Sequence, residues 1–120
     1  MTSSQARRAA LRYVELVNDG AFDQVGSLFA PLAVVLAPSG EEVVGREAIT
    51  ALWAEQYSRT GPSGVSVASC VFDETTCALE LSPQLPGEDA PRTGMVIDHF
   101  TIDGEGLISR LAIYLRPTPP

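Results

Sequence analysis

The stretch Gly94-Met95-Val96-Ile97-Asp98-His99-Phe100-Thr101-Ile102 places an acid where greasy residues are expected. It reads as a β-strand, with β-branched and aromatic residues, a glycine at its start and Asp103-Gly104 to close it. Strand side chains alternate between faces, so Val96, Asp98, Phe100 and Ile102 share one side. Three of the four are apolar. A carboxylate on such a face must find a partner, take up a proton or point into a solvated cavity. His99 is adjacent, but neighbouring strand residues point to opposite faces, so an Asp–His dyad is not expected. Burial on an apolar face raises a carboxyl pKa by desolvation, and a carboxyl that keeps its proton donates hydrogen bonds. Asp98 therefore needs a companion from elsewhere in the chain.

The chain's overall make-up narrows what that companion and its ligand can be. With 120 residues, 45% hydrophobic and 19% charged, the sequence fits one soluble domain covering 1–120, large enough for a sizeable core. A net charge of −7 argues against nucleic acid or an anionic membrane as partner, since both call for a basic surface. No apolar run is long enough to span a bilayer, and Met1 to Arg12 lacks the apolar core of a signal peptide, so a cytoplasmic location is expected. Cys70 and Cys77 are the only cysteines and read as free thiols. One histidine and no Cys/His cluster leave no expected metal site, and neither a phosphate-binding glycine loop nor a G-x-S-x-G elbow occurs. No cofactor is expected.

The elements that must position Asp98 follow from the pattern of apolar residues. Ser3 or Ser4 caps a first helix to about Asn18, stopped by Asp19-Gly20. Ala10, Tyr13, Val14 and Val17 form its buried stripe. Tyr13 on that stripe also suits a core tyrosine whose hydroxyl finds a backbone carbonyl. A second helix starts near Phe22, buries Val25, Leu28 and Phe29, and ends before Pro31. Ala33 to Ala37 form a short strand, Pro38-Ser39-Gly40 a turn and Glu42 to Val44 a second strand. A third helix runs from Gly45 to about Arg59 with the stripe Ile49, Leu52, Trp53 and Gln56. Thr60-Gly61-Pro62-Ser63-Gly64 breaks the chain. Strands are then expected at Val65 to Phe72, Cys77 to Leu81, Gly94 to Ile102 and Leu107 to Leu115, with Ser82 to Thr93 a solvated hairpin loop and 116–120 a frayed tail. Helices first and an antiparallel meander after them indicate an α+β fold, with helices covering one face of a curved sheet. A bent sheet closed by three helices encloses a pocket. Leu111, Ile113 and Leu115 share a face that can join Val96, Asp98 and Phe100 on its wall.

Three segments carry a resemblance to a known family: Arg12-Tyr13-Val14-Glu15-Leu16-Val17-Asn18-Asp19-Gly20 continuing to Leu28-Phe29-Ala30; Val44-Gly45-Arg46-Glu47-Ala48-Ile49; and Val96-Ile97-Asp98 through Gly106-Leu107-Ile108 to Ala112-Ile113-Tyr114. Together they resemble the ketosteroid isomerase branch of the NTF2-like (SnoaL-like) superfamily. The resemblance implies a cystatin-like cone with three N-terminal helices on a curved, mainly antiparallel sheet. It also implies that a first-helix tyrosine, matched by Tyr13, and a protonated late-strand aspartate, matched by Asp98, donate hydrogen bonds to the substrate oxygen. The general base of that family stands at the end of the first strand immediately before a proline. That position is Ala37, followed by Pro38, so the base is missing. Tyrosines that support the donor in the family fall near Phe29 and Trp53; Phe29 cannot donate, and Trp53 offers only its indole N–H.

The reading that results is an isomerase-like enzyme, with Tyr13 and protonated Asp98 as catalytic donors to a steroid or polyketide carbonyl. Its wall would comprise Phe29, Ala37, Trp53, Glu80, Val96, Phe100, Leu111, Ile113 and Leu115, although core packing explains Trp53 and Phe100 as well. Strand alternation sets Ala78 and Glu80 opposite Cys77, Leu79 and Leu81. The resemblance nevertheless implies that the position of Glu80 can face the pocket, making it a candidate replacement base beside Glu41 and Glu42. Two alternatives keep the site: a polyketide cyclase or epoxide-opening enzyme, and a non-catalytic binding or dimerisation domain. The family's habit of pairing through the outer sheet face implies a homodimer using Ile97, His99, Thr101, Ala112 and Tyr114.

Overall fold

The computed structural model describes residues 4–60, 64–85 and 87–117. Residues 61–63 of the expected Thr60-to-Gly64 breaker, Ser3 as an alternative cap, Pro86 of the expected loop and the last three residues of the expected tail lie outside the described residues. Helix α1 (Gln5–Asp19) starts at Ser4, whose hydroxyl accepts from the Arg7 N–H at 3.1 Å, and stops at Gly20 in the left-handed region with φ 71°. It buries Ala6, Ala10, Tyr13, Val14 and Leu16, with Val17 half-buried at the edge of the stripe.

Helix α2 (Phe22–Ser27) is shorter than expected, and strand β1 (Phe29–Leu36) is longer. Pro31 does not end a helix; it lies within β1 where the pairing register shifts between Phe29 and Val34, a place that needs no ladder N–H from proline. The helix gives way early because the Leu28 carbonyl already accepts from the Ile108 N–H at 2.8 Å, which starts pairing with the last strand. Phe29 is therefore a strand residue. Strand β2 (Glu42–Val44) returns antiparallel to β1, and Gly45 leads into α3 (Arg46–Thr60). The Arg46 guanidinium donates twice to the Phe29 carbonyl, at 3.0 and 2.8 Å, locking the start of α3 onto the start of β1.

Four further strands, β3 (Gly64–Phe72), β4 (Thr76–Gln84), β5 (Val96–Ile102) and β6 (Ile108–Leu115), complete one sheet in the order β2-β1-β6-β5-β4-β3. Only β1 against β6 is parallel. Strand β4 runs three residues beyond the expected Leu81, pairing Ser82, Pro83 and Gln84 with Ser66, Val65 and Gly64. The remaining loop is solvated as expected, with Gly87 and residues 89–93 exposed, but it is anchored to β4: the Arg92 N–H donates to the Pro83 carbonyl and the Gly94 N–H to the Ser82 hydroxyl. Arg116 is likewise tied down, its N–H donating to the Met95 carbonyl at 2.8 Å. At the edge strand, the Asn18 side chain imitates a strand partner, accepting from the Val65 N–H and donating to its carbonyl, both at 2.9 Å. This contact ties the end of α1 to β3.

The helices cover the inner face of the sheet, and the core lies between them. No helix among the described residues is long and apolar enough to cross a membrane. The α2–α3 contact is tight. A Cβ on Gly26 would lie 2.0 Å from the Thr50 hydroxyl oxygen. In an open helix Gly→Ala stabilises; Gly26→Ala should instead destabilise by about 1–3 kcal/mol through overpacking. Adding Thr50→Ala should recover most of that loss, a non-additivity readable in denaturant unfolding curves.

Candidate active site

The first-helix stripe delivers Tyr13 to the centre of the fold. Its ring meets Phe100, Trp53 and Phe29 edge-on, with centroids 5.2, 5.9 and 6.2 Å away. These contacts hold the phenol in one place. Asp98 reaches the same centre from β5, where period-two alternation puts it on the inner face between Leu79 of β4 and Ile113 of β6. It is 4% exposed. Among the described residues neither the Tyr13 hydroxyl nor the Asp98 carboxyl makes a hydrogen bond, and Oδ1 of Asp98 is fully enclosed without a partner.

Burial without compensation governs the titration of both groups. Desolvation pushes Asp98 up to about 7 from an ordinary 3.8. Tyr13 is driven well above the usual phenol range, first by burial and then by the negative charge of Asp98. Both groups thus hold protons in conditions where an exposed aspartate has lost its own.

A cavity of about 340 Å³ opens in front of the pair. Of the wall expected from sequence, Ala37, Trp53, Val96, Ile113 and Leu115 line it with Tyr13 and Asp98. Phe29, Phe100 and Leu111 do not; each is fully buried, and the two phenylalanines lie behind Tyr13 as its packing support. Glu80 does not either. It stands opposite Ile97 on the outer face, where its carboxylate accepts from the Ser69 hydroxyl at 3.1 Å, as strand alternation requires once Leu79 and Leu81 point inward. Glu41 and Glu42 are exposed and off the wall. Asp98 is thus the only carboxyl among the described wall residues, and Ala37 with Pro38 occupies the wall where the resemblance expects a base. His99 pairs with Ala78 and Ala112, on the face away from Asp98.

Sequence reasoning missed part of the wall: Phe22, Gln56, Tyr57, Val65, Leu81 and Pro83 also line the cavity. Gln56 was legible as part of the α3 stripe, whereas Tyr57 and Phe22 meet each other edge-on at 5.1 Å across two helices, which no local pattern announces. Also unforeseen is the Trp53 indole N–H, buried without a partner among the described residues. No three of His, Cys, Asp and Glu converge among the described residues in a way that could hold a metal ion.

A family profile described as a SnoaL-like domain matches residues 10–111. No curated protein matches the sequence. Solved structures resemble the fold closely. A proposed ketosteroid isomerase from Kribbella flavida superimposes with a TM-score of 0.80 at 21% identity, covering 97% of this chain and 82% of that one. A computationally designed 17-OHP binder gives 0.76 at 18% identity over 96% and 93%. SalBIII, an epoxide hydrolase/cyclase-like enzyme in pyran ring formation in the polyether salinomycin, gives 0.74 at 18% over 92% and 90%. Identities this low establish the shared cone of helices on a curved sheet and nothing finer.

The raised Asp98 pKa sets the sign of a stability effect. Between about pH 4 and 7 the native chain holds a proton that the unfolded chain has released, so this group's contribution to stability falls as pH rises through that window. A shift of about three units corresponds to about 4 kcal/mol at most. Asp98→Asn should therefore change stability little at pH 4 and raise it by a few kcal/mol at pH 8, measured by chemical denaturation. A difference between variant and wild type that does not vary with pH would contradict the buried, shifted acid.

Proposed function

The chain belongs to the family of SnoaL-like domains, and from that premise we propose that it is an enzyme moving a proton on a hydrophobic carbonyl compound of steroid or polyketide size. The observation that carries this reading is a cavity wall with a single carboxyl, Asp98, unpartnered among the described residues and near neutrality in pKa, beside an equally free phenol. A ligand carbonyl seated in the cavity accepts from Tyr13. The carboxyl of Asp98 has two uses in front of it.

As a protonated group it is a second donor to the same oxygen, the role the resemblance gives it. Proton removal beside the carbonyl then needs another base, and the wall offers no other carboxyl. As a carboxylate it is itself the base. A pKa near 7 keeps both forms populated at neutral pH, which suits one group that takes a proton and hands it back. We therefore assign Asp98 the shuttle: ionised, it removes the proton α to the carbonyl; Tyr13 donates to the oxygen as it gains charge; the protonated Asp98 then returns the proton to another atom of the ligand. Isomerisation of a β,γ-enone to its conjugated isomer and intramolecular cyclisation of a polyketide both have this form. Among proteins that share the fold, one is a proposed ketosteroid isomerase and another an epoxide hydrolase/cyclase-like enzyme, which supports an isomerase or cyclase reading without extending to the shuttle itself. For quaternary structure, we propose that a second copy packs on the outer sheet face, where Val71, Ile97 and Tyr114 stand exposed.

Conversion of a β,γ-unsaturated ketosteroid, followed by the absorbance of the conjugated enone, tests the assignment. The expected kcat/KM rises with pH through about 7, because the ionised form of Asp98 is the base. Asp98→Asn should lower the rate by about 10²–10⁴ and abolish that limb, and Tyr13→Phe should lower it by about 10²–10³. A rate that instead falls through pH 7 would assign Asp98 the donor role alone; full activity in Asp98→Asn would remove it from the chemistry. Ala37→Asp, which supplies the absent carboxyl, should raise the rate by freeing Asp98 to remain protonated.

A further inference from the structure

Among the described residues, the cavity wall carries no cation. The titratable groups facing it are Tyr13 from α1, Tyr57 from α3 and Asp98 from β5; its positions on α2, on β3, β4 and β6, and in the turn after β1 are uncharged. The residues outside the description hold no Lys, Arg or His side chain. A charged ligand entering the cavity would give up its hydration and gain no counter-ion. If negative, it would also approach Asp98, on a chain whose net charge is already −7.

We infer that this cavity, on the ligand-binding reading above, discriminates by charge: it takes ketones, esters, enols and phenols in their neutral forms and rejects the carboxylate or phosphate-bearing version of the same skeleton. The selection works against one form of a compound rather than against a shape. A carboxylic acid and its methyl ester make the point, because the ester is the larger of the two. Exclusion by size would act on the ester, whereas exclusion by charge acts on the acid.

Asp98 gauges the strength of the effect, since it is an acid held against the same wall. Burial alone moves it about three units, a factor of roughly 10³ against the charged form. A ligand carboxylate that lies wholly inside meets similar desolvation and, above pH 7, the charge of Asp98 as well. Such a ligand enters by bringing a proton with it, and its affinity falls as pH rises above its own pKa.

The test uses a bicyclic probe small enough to lie wholly inside the cavity. Binding of methyl 2-naphthoate and of 2-naphthoic acid to the full chain is measured by calorimetry at pH 5 and pH 8, in buffers of different ionisation heat. The ester should bind with affinities within a few-fold of each other at the two pH values. At pH 8 the acid should bind weaker than the ester by about 10² or more, narrowing to about tenfold at pH 5, with close to one proton taken up per acid bound. An acid that binds at pH 8 as tightly as the ester, without proton uptake, overturns the inference. If neither probe binds at either pH, the ligand-binding reading beneath the inference fails with it. Binding of the ester alone at pH 8 supports both.

Discussion

The molecule is built around a carboxyl taken out of water without a partner. Asp98 sits on the inner face of β5 with apolar neighbours on both flanking strands, and no described residue reaches its enclosed oxygen. Leaving a buried polar group unpaired is costly, roughly 1–3 kcal/mol and more when the group is charged. A fold with only a few kcal/mol to spare keeps such a group where something other than stability requires it. The surroundings are consistent with that. Phe29 and Phe100 brace the Tyr13 ring, and Arg46 fixes the backbone of Phe29 with two hydrogen bonds, so the phenol is held from behind while its hydroxyl stays free in front.

Much of this arrangement is legible in the chain because two periodicities intersect. The 3.6-residue repeat of α1 turns Tyr13 inward, and the two-residue repeat of β5 does the same for Asp98, so two residues eighty-five positions apart are each assigned to the interior independently. Ser4 and Gly20 bracket α1 as capping chemistry predicts. What the chain did not disclose depends on partners distant in sequence. Pro31 reads locally as a helix stop, yet pairing of the β1 segment with β6 pulls Phe29 into a strand and makes Pro31 a feature of its register shift. Phe100 and Leu111 share a face with Asp98, but facing inward is not the same as reaching a cavity. Side chains deeper in the cone are covered by the helices, and only those nearer its mouth line the opening. Glu80 shows the converse. Alternation alone places it outside, and the structure agrees with the alternation rather than with the looser resemblance.

On the proposed reading, the lack of a carboxyl at Ala37, where the resemblance expects a base, recasts the chemistry rather than erasing it. A site with two carboxyls can divide acid and base between them, each with a pKa set for one task. A site with one must let that group do both, and then a value near neutrality is what makes it effective. The same fold in relatives accommodates an isomerase-like protein, a cyclase-like enzyme and a designed binder, so the fold does not choose among them. The choice lies in which polar groups face the cavity, and here they are few: a phenol, a carboxyl, an indole N–H and two further side chains of α3, Gln56 and Tyr57.

The proposed chemistry depends first on how Asp98 titrates. The direct measurement is a pH titration of its side-chain carboxyl carbon by NMR in protein carrying ¹³C-labelled aspartate, with the resonance assigned through Asp98→Asn. The predicted result is a single midpoint near 7, well above the ordinary 3.8 of an aspartate. A midpoint near 4 would mean that the carboxyl is solvated or paired, and the shuttle, the stability effect and the charge gauge would all be contradicted together.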